Sequence, residues 1–428
     1  MAKKTKGSNL SIEERLEQAL IPNWDEPYKL PENWCWVKLG TICSLEKGEK
    51  SEGKELVYLD AKTLRGMGEP QFRNSGIVVN KDQKVILVDG ENSGEVFVVP
   101  CQGYMGSTFK IISMSDKVNE MYIRYFIDHN RDKLRNNKIG SAIPHLNKEL
   151  FYGLELPFPP FSEQSRIVNH IEYLFAKLDE AKEKAQDVVD GFETRKATIL
   201  HKAFSGKLTA KWCEENGVYN YAYSKKRFDE VAIIKSSLVD PAEYQDYPHI
   251  APDNIEKKTG VLLEYHTVAE DGVKSGKHRF YPGQILYSKI RPNLSKVVVV
   301  DFDGLCSADM YPIEALGDTK CLWYFMLSEN FLEQASSAGS RSVLPKINQK
   351  ELSALTVTIP ESIEEQKEVS RIIDSLFAKE YQVKEAAESV VEQIETMKKA
   401  ILARAFRGEL GTNDPTDESA VELLKRII

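Results

Sequence analysis

The chain has 428 residues, enough for about three domains, and its 57 Lys+Arg against 65 Asp+Glu leave a net charge of −8. With 29% charged and 42% hydrophobic residues it reads as a folded globular chain, and no apolar run reaches the roughly 18 residues that span a bilayer. Lys3, Lys4 and Lys6 near the start are followed by no apolar stretch, so no secretory signal is read and a cytoplasmic protein is expected. Six cysteines (Cys35, Cys43, Cys101, Cys213, Cys306, Cys321) form no CxxC pair, which excludes a zinc ribbon and suits reduced, buried thiols. The acidic balance argues against a protein that coats nucleic acid without selectivity, but it permits local basic surfaces.

Residues 1–29 form an extension with one short helical stretch at 11–20. Residues 30–160 carry short β-type runs, Val85-Ile86-Leu87-Val88 and Val96-Phe97-Val98-Val99, separated by Gly and Asn turn signals. Turn-forming Asn92 and Ser93, and Ser107 and Thr108, are candidate DNA contacts, although ordinary Gly/Ser turns account for them equally well. Arg135 and Lys138 lie in a window, 131–148, with five cations against Asp132 alone. Residues 161–210 then read as a long helix with apolar residues at Ile167, Ile171, Leu174, Leu178, Val188, Phe192 and Ile199, the alternating four-and-three steps of a coiled-coil seam.

A second globular segment spans 222–360, with β-type runs at 285–287 and 297–300. Between Gly272 and Val300 there is no acid, while Lys274, Lys277, Arg279, Lys289, Arg291 and Lys296 supply six cations. Arg341 and Lys346 follow in another acid-free window, 334–350. Such side chains give phosphate contacts, and Asn293 or the arginines could read base edges; the alternative is a solvated basic loop. The Gly272-to-Lys277 run has three residues between its glycines where a P-loop has four, and no Ser/Thr follows the lysine, so a loop is the better reading. Residues 361–411 form a second long helix with its seam at Val369, Ile373, Leu376, Val383, Val390, Ile394 and Ile401, before a tail at 412–428. No histidine cluster has metal-ligand spacing, and no catalytic constellation is found.

The two helices are copies. Glu163-Gln164 recurs as Glu365-Gln366, and a shift of 202 then holds without a gap through Ala203-Phe204 with Gly206 and Leu208, matched by Ala405-Phe406 with Gly408 and Leu410. Some 43 residues at about 1.5 Å each make a rod on the order of 65 Å. Neither stripe could be buried alone, so antiparallel pairing of two unbroken helices is expected, the glycines acting as C-caps. The segments before the helices repeat more weakly, Pro144-His145-Leu146-Asn147 against Pro345-Lys346-Ile347-Asn348. Similar rods with divergent heads imply one shared scaffold and two specificities.

The opening Leu30-Pro31-Glu32-Asn33-Trp34, the run Pro159-Pro160-Phe161-Ser162-Glu163-Gln164 and the paired Ala-Phe-x-Gly-x-Leu endings resemble the DNA specificity subunits of type I restriction–modification systems. The resemblance covers nearly the whole chain. It implies a mixed α/β (α+β) fold: two globular target-recognition domains, 30–160 and 222–360, separated by two long antiparallel coiled-coil helices with an internal pseudo-twofold repeat. It implies double-stranded DNA as ligand, one half of a bipartite site per domain, and the helices as the ruler of the gap. Two methyltransferase subunits carrying S-adenosylmethionine and two restriction subunits using ATP and Mg are the implied partners, with no membrane and no catalysis or cofactor on this chain. The family's pseudosymmetry allows the 11–20 helix and a counterpart at 418–428 to meet. A coiled-coil scaffold and a specificity module of another restriction class are the alternatives.

Overall fold

A computed structural model describes residues 11–140, 144–218, 223–339 and 345–428. The chain divides into two compact units, Met1–Lys184 with Val390–Ile428, and Ala185–Ser389. Each unit therefore combines one head with a piece of both long helices.

In the first unit the head is closed at its base, where strand Cys35–Lys38 pairs antiparallel with Glu155–Phe158, Cys35 opposite Phe158. Between them lies an antiparallel sheet in the order Cys43–Glu46, Phe109–Met114, Lys84–Leu87, Val96–Val98. Strands Lys50–Leu59, Phe72–Val79 and Gly103–Met105 form a small closed barrel beside it. Val85, Ile86 and Leu87 are all buried, as a continuous apolar run requires when both faces of a strand are covered. Helix Glu120–His129 starts where the Asn119 side chain accepts from the Met121 and Tyr122 amides, and it buries Tyr122, Ile123 and Phe126. The first and last described helices meet in this unit: Arg15 of helix Ile12–Ala19 donates to the Ile428 carbonyl (2.5 Å), just beyond helix Ala420–Lys425.

The second unit repeats the plan. Strand Lys225–Arg227 pairs with Thr356–Thr358 at the base of the head. The sheet runs Ala232–Ile234, Met310–Ala315, Ile285–Ser288, Val297–Val299, the same order of equivalent strands. Five short strands form the second layer, and helix Thr319–Met326 takes the place of Glu120–His129, capped by Asp318. Divergent sequences thus build one head architecture twice.

The long helices run Phe161–Asp190, Phe192–Phe204 and Ile363–Phe406. The first, expected as unbroken, is interrupted at Gly191, although Arg195 N–H still donates to the Gly191 carbonyl at 3.0 Å. Pairing is antiparallel within each unit. In the first, Asp179 meets Lys398 (2.5 Å) and Lys182 meets Glu395 (2.7 Å); in the second, Phe192 packs on Tyr381 and Arg195 binds Glu380 (2.6 Å). Ile167, Ile171, Phe192, Val369, Ile373 and Ile394 are buried, and Leu174, Leu178, Val188, Ile199, Leu376 and Ile401 are half-buried.

Val383 and Val390 depart from the expected seam, at 49% and 41% exposure. A strict heptad counted from Val369 includes them, and this half of the seam is exposed from Val383 to Met397. The other half keeps its seven-residue steps, with Ile373, Ala387 and Ile394 buried and Phe377, Leu402 and Ala405 buried beside them.

Candidate nucleic-acid interface

The recurring Glu-Gln pair fixes each head to a helix start. In the first unit buried Gln164 accepts from the Asn119 amide (2.9 Å) and donates to the Pro159 carbonyl (2.9 Å). In the second, Gln366 accepts from the Asp318 amide (2.8 Å) and donates to the Pro360 carbonyl (2.8 Å). One amide side chain thereby satisfies a head-helix terminus and the strand-to-rod turn together.

The glutamates take the segment that follows the other rod. Glu163, fully buried, accepts from the Asn413 amide (2.8 Å), the Thr412 hydroxyl (3.0 Å) and Arg166. Glu365 accepts from the Thr209 hydroxyl (2.8 Å) and the Tyr223 hydroxyl (3.1 Å). A side chain at Gly411 would put its Cβ 1.7 Å from the Glu163 Oε1, which explains a glycine there. The Phe endings anchor the rods: Phe406 packs edge-on against Tyr122 and Phe126, and Phe204 against Phe325. Gly206 (φ +77°) and Gly408 (φ +76°) then end the helices, with Lys207 donating to the Lys202 carbonyl and Glu409 to that of Arg404, both at 3.0 Å. The loops that carry Gly90 in the first head and Arg291 in the second take no part in these contacts.

Those loops are equivalent at a shift of 201. Gly90 N–H donates to the Pro144 carbonyl (2.7 Å) and Arg291 N–H to that of Pro345 (2.8 Å). Leu146 N–H donates to Val88 (2.8 Å) and Ile347 N–H to Lys289 (2.9 Å). Gly90 and Gly94 have φ of +104° and +96°; their counterparts Arg291 and Ser295 have +49° and +45°. The first head adopts the left-handed turn with glycines, whereas the second forces two side-chain-bearing residues into it at about 1 kcal/mol or more each.

In the first head, Ser107 is exposed and Asn92 and Thr108 are partly exposed on this surface, with Arg135 exposed on helix Arg131–Asn136. Ser93 is a correction: it is 1% exposed, its hydroxyl turned inward by the tight 90–94 turn, and is no surface contact. The ammonium of Lys138, the other candidate cation of the 131–148 window, is held by the Glu91 carboxylate (2.6 Å) and carbonyl (2.9 Å). Sequence reading missed a groove of about 540 Å³ lined by Asp89, Ser107, Lys110, His145 and Lys148. There Asp89 holds His145 Nδ1 at 2.7 Å, and burial, then Lys47 and Lys148, lower the Lys110 ammonium from the usual lysine value. Residues from three separated segments meet in it, so no local window reveals it.

In the second head, Lys274, Arg291 and Asn293 are exposed. Lys277 is corrected: it is 9% exposed, and its ammonium donates to the Ser275 hydroxyl (2.7 Å) and carbonyl (3.1 Å). Lys289 is corrected likewise, its ammonium donating to the Ala308 carbonyl; burial, then Lys346, lower it from the usual lysine value. Lys346 remains half-exposed but is tied to Asp309 (3.0 Å). Arg279 lies over three rings that sequence reading did not connect to it, Tyr281 (4.8 Å), Tyr244 (5.3 Å) and Tyr247 (5.7 Å). Arg341 lies outside the described residues. Among the described residues no group of three His, Cys, Asp or Glu side chains could hold a metal ion, and no helix is long and apolar enough to cross a membrane.

Two heads on paired rods, each with a polar loop surface, are a duplicated recognition architecture, and the comparisons agree with it. Residues 31–189 and 223–393 each match the type I restriction modification DNA specificity domain. The chain belongs to that family. It is 34% identical over 415 residues to the type I restriction enzyme EcoDI specificity subunit of Escherichia coli, covering 89% of this chain and 90% of the relative. It is 24% identical over 432 residues to the MjaVIII specificity subunit of Methanocaldococcus jannaschii, covering 89% and 94%. Its fold is similar to that of the HsdS subunit from Thermoanaerobacter tengcongensis, with TM-score 0.59, 19% identity and coverage of 90% and 99%. A chain solved in work on assembly and conformational transition of the type I system gives TM-score 0.66 at 18% identity, covering 90% of this chain and all of that one.

Proposed function

We propose that this chain is the DNA-specificity subunit of a type I restriction–modification complex and recognises a bipartite target, one half-site per head. The observation that carries this reading is the pair of heads with one backbone plan and different residues at equivalent loop positions: Gly90 against Arg291, His145 against Lys346, Thr108 against Asp309. Equal scaffolds with unequal loops suit two unrelated half-sequences. The chain positions DNA and does no chemistry itself. Adenine methylation with S-adenosylmethionine belongs to two methyltransferase subunits that flip the base from the duplex, and cleavage with ATP and Mg to two restriction subunits.

Because the base strand pair brings residues 35 and 158 together, the first head is an exchangeable module. Replacing residues 30–158 by the equivalent head of another family member should change one half-site and leave the other intact, as read by methylome sequencing. A change in both halves would sink the one-head, one-half assignment.

A further inference from the structure

The second head keeps a side chain where the backbone asks for glycine. At Gly90 a side chain would meet nothing within 4 Å, so only the left-handed φ disfavours one there. At the equivalent position Arg291 accepts that strain, its side chain exposed. The neighbouring cations are occupied: Lys289 on the Ala308 carbonyl, Lys346 on Asp309, Lys296 on the Pro252 carbonyl (2.7 Å) and Asp253. The Arg291 guanidinium has no hydrogen bond or ion pair among the described residues, and only its main chain is anchored, by Pro345.

From this we infer that Arg291 is a specificity-determining residue that reads a guanine edge, through O6 and N7 in the major groove, within the half-site of the second head. The inference rests on the proposed DNA-recognition function and names the residue that gives it sequence content. A phosphate contact needs only a cation, which exposed Lys274 of the same head offers without a left-handed backbone. A base contact needs a planar fork held at a fixed point, which a backbone locked at φ +49° and pinned by its own amide supplies. Asn293, two residues on, is exposed as well.

The test uses the full chain co-expressed with its methyltransferase, comparing wild type with R291G, R291A and R291K by methylome sequencing and by thermal unfolding. R291G restores the glycine of the first head and relieves the turn, so it folds at least as stably as wild type and separates recognition from folding. The expected result is that one guanine position in one half-site becomes degenerate in R291G and R291A, with the other half and the gap unchanged. Binding to the cognate site should fall by about 5- to 150-fold, with little change on a site already mismatched at that position. R291K should keep part of the guanine preference at reduced affinity, since an ammonium can reach O6 and N7 but lacks the planar fork. An unchanged motif in R291G overturns the inference, as does a uniform loss on all sequences with a shallower salt dependence, which marks a phosphate contact. If wild type itself confers no bipartite motif, the proposed function fails, and that outcome is distinct from either.

Discussion

Asp128 lies near the end of helix Glu120–His129, 3.4 Å from Arg124, in the charged groove between the first head and its rods. Burial pushes its carboxyl up to about 6, with Arg124 and Arg131 pulling the other way. That value exceeds the roughly 3.9 of an unfolded Asp, so the folded state binds the proton more tightly. The associated stability is complete below about pH 4 and is lost as pH rises through 6. Asp128→Asn should therefore stabilise the chain at pH 8 by about 2 kcal/mol and flatten the slope between pH 4 and 6, measured by urea unfolding at both ends of that window. A less stable variant at pH 8 would show that the Arg124 pair outweighs burial. At this scale the sequence is only partly legible. Acid-free windows locate basic segments, but the ammonium groups of Lys277 and Lys289 are turned onto Ser275 and the Ala308 carbonyl, which a charge count cannot see. Glu163 and Glu365 stand out as repeats, while their partners lie as far as 250 residues away in sequence.

The rods illustrate what periodicity determines. Helix and copy number follow from the apolar steps, pairing from the need of each stripe to leave water, and its antiparallel sense from the intervening segment having to return the chain. Which line of the seam stays buried does not follow, since both lines carry apolar residues at seven-residue steps. Val383 and Val390 lie on the solvent side and Ile394, at 2% exposure, on the core side. Val383→Gln and Val390→Gln should each change stability by less than about 0.5 kcal/mol. Ile394→Ala should cost about 2–5 kcal/mol. Thermal melts of the three variants decide whether one line of the seam or both carry the packing: a loss at Val383 as large as that at Ile394 would mean that both do. The break at Gly191 was illegible for a related reason, since the i to i−4 bonds continue through it and only the local geometry changes.

Across the whole chain, each unit takes a piece of both rods, and this changes how a ruler role must be tested. Lengthening the first rod alone after Lys202 would rotate Phe204 away from Phe325 and unseat the second head from its own anchor. A matched change keeps every anchor. Residues 178–184 and 390–396 face each other through the Asp179–Lys398 and Lys182–Glu395 pairs, so duplicating both segments adds one paired heptad to the rods. Seven residues add about 10 Å and fall about 20° short of two turns. At about 3.4 Å per base pair the recognised gap should lengthen by about three base pairs, with both half-sequences retained. Methylome sequencing of a strain carrying the variant reads gap and halves together. The original gap with intact halves would mean that the heads fix the spacing and the rods only join them, whereas lost recognition of both halves with a normal melt would mean that the duplex cannot follow the added rotation.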